Sequence, residues 1–344
     1  MLDCKVFGAK DLRIIEIEAP SPGPGEVLIK LGAAGICGSD MHYYFHGRVG
    51  NFQIREPLTP GHEASGIVAA TGTGVTKVKT GDRIAINPSS PCGKCPACRE
   101  GRENLCINMR FLGSASVFPH MQGMFREFFV MPERNCVAVT TDVALTEIAM
   151  SEPLSVAIHS ARRAGELLGK SVLVTGSGTI GCMMVLAARM MGAAHIAMTD
   201  VVDHPLAVAK KVGADQTVRI DQLPKDTPLS SLIGMPDVVF EVSGAPSAFT
   251  TAIETVKRGG VIVQVGTLPH DGMHVMANMI MAKELDVRGS FRFGNVFEIA
   301  VDAIANRRVD VRPVISASHP LKDAAKAIEL AIDKTQSMKI HLTA

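Results

Sequence analysis

Residues 170–188 read KSVLVTGSGTIGCMMVLAA, an apolar strand-like run, a GxGxxG turn and an apolar-faced helical run. The stretch 171–188 carries no charge and is 18 residues long, enough to pass for a membrane span. Gly176, Gly178 and Gly181 interrupt it, so it is expected to fold as strand, turn and helix. In such a unit the first glycine permits the tight turn. The second lets a pyrophosphate approach the backbone, and the third lets helix and strand touch. Thr179 and Ile180 would then open the helix, whose free N–H groups and positive dipole suit a phosphate. Asp200 closes the next apolar run, 19 residues beyond Gly181, where a carboxylate accepts hydrogen bonds from adenosine ribose hydroxyls. A 2′-phosphate would be repelled there. The following Val201, Val202, Asp203 and His204 include no arginine, so NAD is expected as cofactor in preference to NADP.

The pattern around this unit divides the chain. Residues 1–150 hold short β-like runs (27–31, 66–70, 83–86, 128–131) broken by Gly and Pro, an irregular mainly β domain. From about residue 152, apolar runs at 171–175, 196–199, 238–242, 261–265 and 285–288 alternate with helical stretches. That predicts βαβ units and a parallel sheet, an α/β fold. Two amphipathic stretches, 296–306 and 321–334, and a strand-like 339–342 follow; periodicity does not assign this tail to either domain. The balance of 35 Lys+Arg against 34 Asp+Glu offers no strong field for nucleic acid or anionic lipid. The charged N-terminal residues 1–13 lack the apolar run of a signal peptide, and the chain is expected to be cytoplasmic.

Eight cysteines are present, and four of them, Cys92, Cys95, Cys98 and Cys106, crowd into one segment. Four thiolates at spacings of 3, 3 and 8 match a closed tetrahedral zinc site, with an iron–sulfur or metal-free cluster as the alternative. A nucleic-acid-binding zinc ribbon is a further reading, but Glu100 and Glu103 offset the basic flanks and no aromatic platform interleaves them. Cys4, Cys136 and Cys182 are expected to be structural. A second, dispersed set comprises Cys37, His62, Glu63 and Glu152. Spacing alone does not link these residues, and a lone buried histidine or cysteine is ordinary core. Together, thiolate, imidazole and carboxylate could make a zinc site with an open position for a substrate oxygen.

In this order GICGSDMH (35–42), PGHEASG (60–66), the cysteine cluster, SEPLSVAIH (151–159) and GSGTIG (176–181) resemble the zinc-dependent medium-chain dehydrogenase/reductase family over nearly the whole chain. The resemblance implies a GroES-like catalytic domain of residues 1–150 and 293–344, with the zinc lobe at about 88–110. A Rossmann NAD-binding domain, the doubly wound parallel sheet, would span 151–292. It also implies two zinc ions per subunit. Cys37, His62 and Glu63 would hold the catalytic ion, with Glu152 an alternate ligand or holder of its water. Cys92, Cys95, Cys98 and Cys106 would hold the structural one. Ser39 and His42 match a proton relay that runs through the cofactor ribose.

Glu152 stands where the alcohol-dehydrogenase branch has a cysteine, which points to the polyol branch. HYYFHGRVGNF, AINPSSPCGKC, NMRFLGSA and GSFRF further resemble members that oxidise a secondary alcohol of a sugar acid. A carboxylate-bearing substrate implies a cation several carbons from the zinc, and Arg48, Arg110 and Arg292 are candidates. Arg292 matches an arginine that polyol dehydrogenases use on hydroxyls, so Arg110 is the sharper expectation. Tyr43, Tyr44, Phe111 and Ser114 are expected to line the pocket. The competing readings are a sorbitol- or xylitol-type polyol dehydrogenase, an L-threonine 3-dehydrogenase and a non-catalytic NAD-binding protein. A small-molecule substrate is the expected partner, with no nucleic acid and no membrane. A homodimer or homotetramer is expected to pair through the segment around 278–290.

Overall fold

The strands Gln216–Arg219, His195–Asp200, Ser171–Thr175, Val238–Glu241, Val261–Gln264 and Asp286–Gly289 lie side by side in that order, every pair parallel. The protein is described by a computed structural model covering residues 1–224, 227–269 and 272–344. From Ser171–Thr175 the chain steps outward to two strands on one side, then returns to build three on the other. The crevice at the carboxyl ends of the strands therefore opens beside Gly176, where a doubly wound sheet takes its ligand. Period-two alternation makes both faces apolar. Val172 and Val174 pack with Met183, Val185 and Leu186 of helix Thr179–Met190. Leu173 packs on the other face with Val239, Phe249 and Ile262.

Residues 1–141 are mainly β. A mixed sheet runs through Cys136–Ala138, Arg83–Ile86, Glu63–Thr71, Glu26–Gly35, Lys339–Thr343 and Ile315–Pro320. Strand Glu26–Gly35 is its axis. Glu63–Thr71 runs along one edge; Phe128–Pro132 and Lys339–Thr343 share the other. The tail from Ile315 is thus tied into this sheet, while helix Phe297–Ala305 packs on helix Ser151–Ala164. No helix among the described residues is long and apolar enough to cross a membrane. Cys4, Cys136 and Cys182 are buried and unbridged, as expected of structural cysteines.

Several strands escape the sequence pattern, two of them at sheet edges. Gln216–Arg219 and Ile315–Pro320 sit at the ends of their sheets, and only Val218 among their residues is buried. Edge strands need no continuous apolar run, so periodicity does not mark them.

At the amino ends of the parallel strands, Asp237 joins two of them. Its carboxylate accepts from the Ser171 amide at 2.8 Å and hydroxyl at 2.9 Å, and Lys257 pairs with it at 2.5 Å. Burial raises its pKa, but Lys257 and Ser171 outweigh burial and bring it down to about 2. A depressed carboxylate stabilises the fold above its unfolded pKa of about 4 and loses that contribution as pH falls through the folded value. Asp237→Asn should therefore cost about 2 kcal/mol near neutrality. Denaturant melts of both proteins should converge as pH falls from about 4 towards 2; a gap that stays constant would refute the assignment.

Candidate active site

The register that pairs Gly35 with Glu63 brings Cys37, two residues past the one strand, against His62 and Glu63 at the start of the other. One donor atom from each of Cys37, His62 and Glu63 lies within 4.8 Å of the other two. Cys37 caps helix Gly38–His46, where its amide donates to Asp40 at 2.9 Å. The fully buried Asp40 carboxylate also accepts from the Gly61 amide at 3.0 Å and stands 3.8 Å from His62 Nδ1. Burial disfavours the imidazolium, but Asp40 and then Cys37 outweigh it and raise the His62 pKa well above its usual value. Glu63 meets Lys339, whose Nζ donates to Oε2 at 2.5 Å and to the Ile36 carbonyl at 2.8 Å. Both side chains are buried; burial raises the Glu63 pKa, and Lys339 foremost holds it below the carboxylate norm. A Cβ on Gly35 would lie 2.2 Å from Glu63 Oε2, so only glycine leaves room for this pair.

Glu152, in the first turn of helix Ser151–Ala164, faces the same space but lies outside the compact trio. Burial pushes its carboxyl up to about 7. Thiol, imidazole and carboxylate within one ion's reach, with no fourth protein donor among the described residues, fit a zinc site that keeps a position open. His62 Nδ1 is buried and without a hydrogen-bond partner, with the Asp40 carboxylate 3.8 Å away. Cys92, Cys95, Cys98 and Cys106 form a second group within 4.8 Å, closed by four sulfurs. The amides of Lys94 and Cys95 pull the Cys92 thiol down to about 6, while burial pushes Cys98 up to about 12. Four sulfurs within reach of one ion suit structural zinc, whose binding displaces the thiol protons.

A cleft of about 590 Å³ runs from Cys37, Met41, Glu63 and Lys339 along the glycine turn to Asp200, Val201 and Ile220. Gly176 has φ +89°, and a Cβ there would strike Ser243 at 2.9 Å. A Cβ on Gly181 would meet the Gly176 carbonyl at 2.0 Å. Over Gly178 there is nothing within 4 Å, a gap on the cleft side at the N-terminus of helix Thr179–Met190. This is the cradle a pyrophosphate requires. Asp200 accepts from the Ser177 amide and hydroxyl with one oxygen and from the Val201 and Val202 amides with the other. It holds the turn in shape as well as facing the cleft.

Phe111 stacks between His62, with ring centroids 5.5 Å apart, and the Arg292 guanidinium, 4.6 Å from its ring. Arg292 is partly buried, has φ +53°, and no ion pair or hydrogen bond to its side chain is found among the described residues. Its neighbours include Tyr43 and Glu152. Tyr43 is buried, its hydroxyl accepts from the Ala115 amide at 2.9 Å, and Ser114 lies beside it. Ser39 and His42 sit on helix Gly38–His46, with Ser39 half-buried and His42 exposed next to His46. Burial and then His46 lower the His42 pKa.

Three expectations do not fit this geometry. Tyr44 packs into the core of the mixed sheet near Glu329, not into the cleft. Arg110 is exposed, because the pleat that turns Phe111 inward turns its neighbour to solvent. Arg48 is likewise exposed, on a two-residue strand. Asp40 and Lys339 were missed. Asp40 stands inside a motif already singled out, whereas Lys339 has only the signal of a charge in a buried strand.

Comparison with known proteins agrees with this architecture. Residues 23–141 match the alcohol dehydrogenase GroES-like domain family, and residues 179–306 match the zinc-binding dehydrogenase family. The chain is 41% identical over 339 residues to the L-idonate 5-dehydrogenase (NAD(P)(+)) of Escherichia coli K12, covering 98% of this chain and 97% of that one. It is 38% identical to the sorbitol dehydrogenase of Gallus gallus, covering 98% and 94%. The crystal structure of L-idonate 5-dehydrogenase from E. coli superposes with a TM-score of 0.93 at 39% identity, covering 100% of this chain and 98% of that one.

Lys339→Met should leave Glu63 buried without its counter-charge and cost about 3–5 kcal/mol in zinc-stripped protein. Zinc should recover much of that loss, so melts with and without added metal check the fit; equal costs in both would count against it. Gly178→Ala, whose Cβ enters open space, should leave the melting temperature nearly unchanged. Titrated with NADH, it should bind at least about tenfold more weakly, since the added methyl occupies the phosphate cradle.

Proposed function

The chain belongs to the zinc-dependent medium-chain dehydrogenase/reductase family, and on that premise we propose that it oxidises L-idonate to 5-keto-D-gluconate with NAD. It is a zinc-containing, NAD(P)-dependent alcohol dehydrogenase of the polyol and sugar type, acting on a CH–OH group. The observation that favours the sugar-acid reading is the 41% identity to L-idonate 5-dehydrogenase, and with Arg48 and Arg110 turned to solvent Arg292 is the candidate left for the carboxylate. Its guanidinium is partly buried, stands on left-handed backbone worth of order 1–3 kcal/mol of strain, and makes no hydrogen bond or ion pair among the described residues, so an anionic or multiply hydroxylated ligand can complete it. One aromatic ring, Phe111, separates it from His62, which suits a substrate with its reacting hydroxyl at the trio and its carboxylate several carbons away.

Cys37, His62 and Glu63 would hold the catalytic zinc, with Glu152 at its open side. Gly176, Gly178, Thr179, Ile180, Gly181 and Asp200 would hold NAD. When bound, the ion supplies a Lewis acid that acidifies the alcohol, and the nicotinamide accepts the hydride. The residues of the chain do the rest. Asp40 fixes His62 and the amide of Cys37, and Lys339 keeps Glu63 ionised in a buried place. Ser39, on helix Gly38–His46, would accept the hydroxyl proton while releasing its own towards His42. His42, three residues on and so on the same helix face, is exposed and would pass a proton to solvent. Phe111, Tyr43 and Ser114 wall the substrate space.

We take residues 1–150 and 293–344 as the catalytic domain and 151–292 as the coenzyme domain. The sheet-edge strand Asp286–Gly289, with Met281, Val287 and Phe291 exposed about it, is where a second copy would pair. The neutral-polyol reading is favoured by the 38% identity to sorbitol dehydrogenase.

The test is NADH formation by zinc-loaded protein with L-idonate, sorbitol, xylitol and L-threonine as rival substrates. L-Idonate should give the highest kcat/KM. Arg292→Ala should lower it by at least about 100-fold for idonate and less for sorbitol, because a charge-assisted contact is lost only with the acid. A neutral polyol ahead of idonate would overturn the substrate assignment and leave the enzyme class intact.

A further inference from the structure

Strand Gln216–Arg219 carries an arginine to the one place where the local sequence around Asp200 offers none. Arg219 is the register partner of Asp200 on the adjacent parallel strand, about 4.8 Å away in backbone terms. Both lie at the carboxyl ends of their strands, and the cleft is lined there by Asp200, Val201, Pro205 and Ile220, the last next to Arg219 in the chain. The guanidinium is engaged twice. Its Nε and one terminal nitrogen hold Asp221 in a fork at 2.8 and 3.2 Å, and its other terminal nitrogen meets Asp203 at 2.6 Å. Asp203 opens helix Asp203–Lys211 and is 79% exposed, whereas the arginine is 24% exposed.

We propose that Asp203 sets the choice of coenzyme in this cleft by occupying the Arg219 guanidinium that would otherwise take a 2′-phosphate. An adenosine whose ribose hydroxyls reach Asp200 presents its 2′ substituent to the neighbouring strand end, which is Arg219. Asp203 and Asp221 hold the one guanidinium and Asp200 stands on the adjacent strand, so that corner carries net negative charge and repels a phosphate. Asp203 is the weaker of the two holds, a single contact from an exposed side chain against the Asp221 fork. Its removal frees an N–H edge and takes away one negative charge, leaving the Asp221 fork to orient the guanidinium for a charge-assisted pair with phosphate. The inference rests on the reading of the cleft as a dinucleotide site.

Calorimetric titration of the zinc-loaded full chain with 5′-AMP and with adenosine 2′,5′-bisphosphate separates the two questions. Wild type should prefer 5′-AMP. Asp203→Asn, with Asp203→Ser as a second variant should the first fail to fold, should raise the affinity ratio of the bisphosphate to 5′-AMP by about tenfold or more. The ratio of kcat/KM for NADP to that for NAD should follow. Adding Arg219→Gln should abolish the gain, and Arg219→Lys should keep only part of it. A gain that survives Arg219→Gln would assign the effect to bulk charge and overturn the proposal, as would no gain in either Asp203 variant. Failure of 5′-AMP to bind any of the proteins would bring down the nucleotide reading itself, and the proposal with it.

Discussion

A buried ion pair between Glu63 and Lys339 is the contact on which the catalytic corner depends. Taking a carboxylate and an ammonium out of water costs several kcal/mol per ion, and their attraction offsets this only where the geometry is good and spare donors find acceptors. Here the Ile36 carbonyl takes a second ammonium proton, and the bare backbone of Gly35 makes the space. Three strands must be in register for this to hold, because Gly35 pairs with Glu63 on one side and with His341 on the other. The same register sets Cys37 against His62. The sheet is thus the device that converts three separated segments into one donor set.

The coenzyme half obeys different physics. Its cleft is formed by what is missing: a Cβ at Gly178 and a continuous strand order at the carboxyl ends. Gly181 and Gly176 are fixed by close backbone approach, Gly178 by emptiness, and this is why three glycines in one motif carry three different reasons. Asp200 serves both sides, fastening the turn through Ser177 while facing the space where a ribose would sit.

Much of this was legible in the sequence because local chemistry is dense there. The glycine turn, Asp200, the four-cysteine lobe and the parallel strands all follow from short-range patterns, and the catalytic trio from motifs that resemble a family. What escaped was long-range. Nothing near Glu63 announces Lys339, and the strand that delivers Arg219 is an edge strand of mostly polar residues whose place is set by its neighbour and not by its own periodicity. Arg110 and Tyr44 failed for the complementary reason. Each adjoins a residue that does face the site, and pleat or helix rotation turns it elsewhere.

The pairing of Glu63 with Lys339 spans 276 residues of chain. During synthesis, therefore, the carboxylate is made early and waits for its counter-charge until the intervening residues have been added. The first sheet cannot close around an ionised Glu63 in that interval without leaving it unneutralised. The catalytic corner is therefore complete only once strand Lys339–Thr343 has docked beside Glu26–Gly35.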